Sequence, residues 1–406
     1  MDKDIHAQSK QTVANQALLI IGIVFVAFNL RPAITSVGPV IGLIRADLEF
    51  SNGVAGLITT LPLLAFAALS FLAPKIGQRL GNELAILLGL ILLTIGIVLR
   101  SLGFPFMLFA GTGIAGIGIA ICNVLLPGIV KQRFPTKVGL MTGLYTASLG
   151  GFAAIASGIS IPLAVNMGFG WKNALLVWAG LAITAFVIWL PQVRKYRRAK
   201  NLQTDSELSP PLPSLLQSKL AWYVTFFIGL QSFLFYCVIA WLPEILMKQG
   251  LNDTASGWML SLLQLFGLPF SFITPILATK VKNQRGIVIV IALTYITAFI
   301  GLVLDGNASL TILWILLIGI AQGAGFSLAL TFFVLRTVSS DQASALSGMA
   351  QSLGYLLAAV GPIFIGMLFD QTGSSTAPLY TFVSIAVAML IAGLGAGAGL
   401  ITHLKK

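Results

Sequence analysis

Charge is what this chain most lacks. Of its 406 residues only 9% are Asp, Glu, Lys or Arg, against about 25% in soluble domains. A water-soluble globule of this size could not cover itself with so few charges, so a soluble enzyme, a fibrous protein and a disordered chain are excluded at the outset. Cysteine and histidine are equally scarce. Cys122 and Cys237 lie far apart, and His6 and His403 sit near the two ends. That leaves no disulfide framework and no metal-ligand cluster. No nucleophile–base pair and no strand-borne phosphate loop is visible. Neither a metal, nor a cofactor, nor an enzymatic activity is expected.

What the chain does have is apolar length. Hydrophobic residues make up 57% of it, arranged in long runs with short polar breaks. About 20 apolar residues cross a bilayer as a helix. The runs predict twelve spans, at 16–43, 52–73, 84–102, 105–131, 138–165, 171–191, 219–247, 254–279, 285–304, 309–335, 341–369 and 376–401. The expected fold is an all-α integral membrane protein. Residues 192–218 are rich in Lys and Arg and then read SPPLPS at 209–214. They are expected to be a cytoplasmic linker between an N-terminal six-helix bundle, 1–191, and a C-terminal one, 219–406.

The net charge of +12 is not interleaved with exposed aromatics, so nucleic acid is not the expected partner; the lipid bilayer is. With both termini cytoplasmic, nineteen Lys and Arg fall on the cytoplasmic side and four, Arg45, Arg100, Lys172 and Lys248, on the other. Such asymmetry is what orients a membrane protein.

The two halves echo each other. KIGQRLG (75–81) after the second span parallels KVKNQRG (280–286) after the eighth, and at an offset of 205 Lys131 matches Arg336, Gly118 matches Gly323, and Gly143 matches Gly348. Parallel six-helix repeats with a site between them at mid-membrane are a transporter design.

One cation, Arg31, falls inside a span, in FNLRPAITSVGP (28–39). A guanidinium at the bilayer centre costs at least about 2.5–3.5 kcal/mol, so it should face a cavity or a partner. Pro32 should kink the helix beside it. A planar donor fork suits a small anion. Asn29 and Thr35 add polar groups nearby. Acidic partners are scarce: Glu244 is the nearest, toward the outer end of the seventh span, where it would gate or pair. In that span Gln231, Ser232, Phe235 and Tyr236 share one side, with Trp241 beyond. Asn123, Tyr145, Gln264, Gln322, and Gln351 with Tyr355, are further mid-span polar groups. The substrate-binding set expected is Arg31, Asn29, Thr35, Asn123, Tyr145, Gln231, Tyr236, Trp241, Gln351 and Tyr355. Glu244, Lys131, Arg336 and Arg79 are expected to gate or couple.

With this layout the chain resembles the major facilitator superfamily. The superfamily motif G-x-L-x-D-R-x-G-R aligns with Pro74-Lys75-Ile76-Gly77-Gln78-Arg79-Leu80-Gly81-Asn82, keeping Arg79 and Gly81. More narrowly it is similar to the cyanate and 2-nitroimidazole transporter family, on NLRPAITSVGP (29–39), GIAICNVLLPGIVKQRFP (118–135), GLQSFLFYCVIAWLP (229–243) and LALTFFVLRT (328–337). The resemblance implies the major facilitator fold and a carrier in the bacterial inner membrane. Its substrate would be a small molecule, anionic or nitroaromatic, moved by alternating access with or without a coupling proton. A single chain forms such a pathway, so a monomer is the expected unit. Two alternatives stay open: efflux of neutral aromatic compounds, and a non-transporting receptor on a carrier scaffold.

Overall fold

The computed structural model describes residues 2–50, 52–200, 215–304 and 310–401. The SPPLPS stretch of the expected linker lies outside the described residues.

The described chain is helical. Its first part comprises α1 (Asp2–Asn29), α2 (Pro32–Thr35), α3 (Val37–Leu48), α4 (Asn52–Leu69), α5 (Ala73–Leu80), α6 (Asn82–Arg100), α7 (Pro105–Arg133), α8 (Val138–Ile161) and α9 (Gly170–Lys200). After the linker come α10 (Lys219–Lys248), α11 (Asp253–Lys280), α12 (Arg285–Leu304), α13 (Thr311–Leu335), α14 (Ser340–Thr372) and α15 (Thr376–Ala396). Eleven described helices are long and apolar enough to span a membrane, twelve when the pair Thr60–Leu69 and Ala73–Leu80, bent by 55°, counts as one. This is the expected all-α membrane architecture.

Departures from the expected spans have local causes. The first span is broken twice: α1 ends at Asn29, Leu30 and Arg31 form a turn, and a second break follows at Ser36. Pro32 opens α2, where its missing N–H costs nothing. The second span bends at residues 70–72, before Pro74 near the start of α5. Pro162 begins a π-helical turn, Pro162–Asn166, at the end of α8. The sixth span runs on as helix to Lys200, past the expected end at 191.

The halves meet through α8 against α11 and through α14 against α4 and α7. The glycines matched in sequence lie at equivalent places in this seam. A Cβ on Gly143 of α8 would stand 3.3 Å from the carbonyl carbon of Phe272 in α11, and one on Gly348 of α14 would stand 2.6 Å from the carbonyl oxygen of Ser70. Gly118 and Gly323 do not match in this way. Gly118 lies against Leu93 of α6 and Gly323 against Gly267 of α11, each inside its own half.

Hydrogen bonds across the seam gather on the linker side. Lys131 Nζ donates to the carbonyl of Val334 at 2.6 Å and to that of Thr337; Ser340 Oγ donates to Gly128 O at 2.8 Å; Thr146 Oγ1 donates to Ser271 O at 2.8 Å; Ser352 Oγ donates to Ala67 O. These bonds tie the two halves together on that side.

Candidate functional site

Arg31 sits where the first span is broken, and the break aims it at the opposite half. Its guanidinium carbon lies 4.8 Å from the ring centroid of Phe235 in α10 and 4.8 Å from that of Phe326 in α13. Among the described residues no carboxylate lies within 4.0 Å of it. A desolvated cation–π contact is worth up to about 2 kcal/mol. Two of them offset a mid-membrane guanidinium's cost of about 2.5–3.5 kcal/mol and still leave its N–H groups free to donate. Thr35 supports the turn, with Oγ1 donating to Arg31 O at 3.2 Å and to Ala153 O of α8 at 3.1 Å.

Arg31 lines a cavity of about 60 Å³ between the halves. A water needs roughly 10–15 Å³ of such volume, so the space holds a solute of a few heavy atoms. Its first-half wall includes Thr146 and Gly150 of α8; its second-half wall includes Phe235, Gln264, Ser271, Gln322 and Phe326. Among the described residues, no Asp, Glu or His lines it. The cavity thus offers donors and aromatic faces with no negative charge.

Of the ten residues expected to bind substrate, Arg31 alone lines this cavity. Tyr236 and Tyr355 stand next to it. An aromatic chain runs from Phe235 to Tyr236 (5.1 Å), to Tyr355 (6.3 Å) and to Phe66 of α4 (5.1 Å). The other seven do not line the cavity. Asn29 Nδ2 donates to Phe25 O at 2.7 Å and to Leu181 O of α9 at 3.3 Å. Thr35 is engaged with backbone, as above. Gln231 Nε2 donates to Tyr295 Oη at 3.1 Å and to Gln322 O at 3.2 Å. Trp241 Nε1 donates to Pro362 O at 2.9 Å. Gln351 Nε2 donates to Ser347 Oγ at 2.7 Å and to the backbone of Asn123 at 3.4 Å. Tyr145 is buried, its hydroxyl without a partner.

The residues expected to gate divide as well. Lys131 crosses the seam. Arg336, its sequence match, does not: Nε donates to Ala396 O at 2.6 Å, Nη1 to Gly399 O at 3.2 Å and Nη2 to Gln284 Oε1, all within the second half. Burial pushes its guanidinium down to about 10, so it stays charged at neutral pH. Arg79 is exposed, and Glu244 is half-buried with no ion pair to Arg31. Close to that motif, Glu83 at the start of α6 pairs with Arg133 Nη2 at 2.6 Å.

Sequence reasoning passed over Phe326, Thr146 and Ser271. Phe326 had a signal, since it lies one helical turn from Gln322. It also misplaced Arg100. Read as an outer loop charge, Arg100 is 1% exposed, with Nη1 donating to Ala33 O of α2 and Nε and Nη2 buried without partners. It braces from behind the short helix that follows Arg31.

With this geometry in view the chain can be set beside known proteins. It is 55% identical over 379 residues to the uncharacterized transporter YycB of Bacillus subtilis, covering 93% of each chain. It is 42% identical over 383 residues to the 2-nitroimidazole transporter of Escherichia coli, covering 94% of this chain and 96% of that one. It is 25% identical over 358 residues to the cyanate transport protein CynX of Escherichia coli, covering 88% and 91%. Among solved structures, the proton:xylose symporter XylE superposes with a TM-score of 0.75 at 11% identity, over 95% of this chain and 98% of that one, a likeness of fold. The pattern of the Major Facilitator Superfamily matches residues 19–362. These relatives are transporters, not enzymes, and they bear out the resemblance read from the sequence. The chain is a multi-pass membrane transporter and belongs to the major facilitator superfamily.

Proposed function

We propose that this transporter carries a small solute with a negative or electron-rich end, either a nitroaromatic or a small anion such as cyanate, and that Arg31 binds it. The observation that carries the reading is Arg31 held between Phe235 and Phe326 with no carboxylate beside it. The two rings hold the guanidinium in place between them, and its free fork can donate to the negative or electron-rich end of a solute. The names of the 2-nitroimidazole and cyanate relatives agree with that chemistry.

The two bundles, roughly 1–191 and 219–406, would rock about this cavity and expose Arg31 to each side in turn. Asn29, Thr35, Asn123, Tyr145, Gln231, Tyr236, Trp241, Gln351 and Tyr355 would join the site, or support it, in another stage of the cycle. Lys131, Arg336, Arg79 and Glu244 would act at the mouths. The charge asymmetry supports an inner-membrane protein with both termini cytoplasmic. With no acid or histidine on the cavity wall, a coupled proton has no side-chain carrier there. A monomer would suffice.

The test is a thermal-shift titration of the protein in detergent with 2-nitroimidazole and with cyanate, repeated on Arg31→Ala. A ligand that binds only the folded state raises its stability by RT ln(1 + [L]/Kd). We expect a shift that Arg31→Ala abolishes. A shift retained in the variant overturns the role given to Arg31. The Phe235 and Phe326 faces favour one alternative, efflux of neutral aromatics; for that reading 2-nitroimidazole alone would shift. Saturable counterflow in vesicles separates a carrier from a receptor.

A further inference from the structure

Resting on that reading, we infer that Gln322 is the second gripping point for the solute, so that the preferred substrate carries hydrogen-bond acceptors on two sides and bridges the halves. Gln322 lies mid-way along α13 and lines the cavity together with Arg31. It is 5% exposed, and its side-chain nitrogen is buried with no hydrogen-bond partner. Among the described residues on the cavity wall it alone has such an orphaned buried group. Leaving a buried amide unpaired costs about 1–3 kcal/mol, a cost that a bound acceptor removes.

Its position is fixed independently of any solute. Gln231 Nε2 donates to the backbone carbonyl of Gln322 at 3.2 Å. Gly323 and Gly319 beside it lie against the backbone of α11, at Gly267 and Leu263. Phe326, one turn further along the same face, stacks on the guanidinium of Arg31 at 4.8 Å. The hydroxyls on the wall already direct their hydrogens to backbone carbonyls. Thr146 Oγ1 is spent on Ser271 O at 2.8 Å, and Ser271 Oγ on Gly267 O at 3.1 Å.

Arg31 belongs to the first half and Gln322 to the second. A solute with one acceptor meets Arg31 and leaves the amide unpaired. A solute with two, such as a nitro group and a ring nitrogen, satisfies both and ties the halves together through itself. A site built to pair polar groups rejects analogues that lack one. Selectivity among nitroaromatics then rests on Gln322, while general affinity rests on Arg31.

The experiment compares 2-nitroimidazole with nitrobenzene, which lacks the ring nitrogens, on the wild type, Gln322→Met and Arg31→Ala, by thermal shift and by binding titration. Methionine keeps the volume and removes no hydrogen bond within the protein, so the unliganded melting temperature should hold or rise. We expect Gln322→Met to weaken 2-nitroimidazole about tenfold and to leave nitrobenzene unchanged. Gln322→Glu, which sets a carboxylate facing Arg31, should abolish binding of both. Equal effects on the two ligands in Gln322→Met, or none, overturn the inference, and the reading of Arg31 stands provided Arg31→Ala still loses both. Binding that survives Arg31→Ala overturns that reading instead. No shift of the wild type with either ligand overturns both.

Discussion

The ammonium of Lys131, near the end of α7, donates to the carbonyl of Val334, next to the last residue of α13, at 2.6 Å, and so ties the first half to the second. The same nitrogen also reaches Thr337 O. A cation at a helix C-terminus meets both unpaired carbonyls and the negative end of the helix dipole.

Lys131→Met should therefore loosen the linker-side closure. Hydrogen bonds to a charged group contribute about 1.5–3 kcal/mol, so the open-to-closed ratio should rise about 10- to 100-fold. Ser344 Oγ sits where a side chain on Gly128 would begin. Oxidative cross-linking of the Gly128→Cys, Ser344→Cys pair reads the closure, and Cys122 and Cys237, both buried, stay out of it. An unchanged cross-linking yield in Lys131→Met would show that the bond does not hold the mouth.

Arg31→Lys should fail almost as badly as Arg31→Ala. An ammonium keeps the charge but offers neither the bidentate fork nor a plane to stack between Phe235 and Phe326. We expect affinity for 2-nitroimidazole to fall by about 10- to 100-fold, measured by calorimetric titration. Near-native affinity would mean that simple charge attraction suffices.

Gly96 lies at a close approach of α6 to α7. A Cβ there would stand 2.8 Å from the Cα of Ala115. Gly96→Ala should destabilise the protein by about 1–3 kcal/mol, the usual penalty for overpacking, seen as a lower melting temperature with solute selectivity unaltered. A stable Gly96→Ala variant would contradict the packing described.

Asp47 at the end of α3 gives a pH dependence outside the spans. Trp171 Nε1 donates to its carboxylate at 3.0 Å and Lys172 pairs with it at 3.2 Å. These contacts hold its carboxyl below the ordinary 3.8, the Trp171 hydrogen bond contributing most. A depressed acid stabilises the fold above its unfolded value, and loses that contribution as pH falls through the folded one. Asp47→Asn should thus lower the melting temperature slightly at pH 7, with the difference beginning to shrink near the ordinary carboxylate value of about 4 and disappearing only below the depressed folded value. A constant difference down to pH 3 would mean that the charge plays no part.

The spans were legible because hydropathy is additive along the chain and a bilayer reads it locally. Arg285–Leu304 falls where the sequence put it, and Pro32 breaks the first helix beside Arg31 as its missing N–H requires. Arg31 could be singled out for the same reason, since a cation in an apolar run needs no tertiary knowledge to stand out. What encloses it was not legible. Phe235 and Phe326 come from helices some two hundred or more residues away, and nothing local pairs them with Arg31. Arg100 looked like a loop charge because it ends a helix, and only the packing of α2 over it makes it buried. Lys131 and Arg336 match in sequence and lie near the ends of matching helices, yet Lys131 donates across the seam while Arg336 donates within its own half.

The seam at Gly143 and Gly348 has a consequence for how the protein moves. On both flanks of the pathway, bare backbone lies against the neighbouring helix, with no side chains from these positions meshed like teeth. Parting there asks no rotamer to change and strips little apolar surface. For halves that rock as proposed, these points would serve as smooth bearings, leaving the open-or-shut decision to the few polar latches nearby and to the solute in transit.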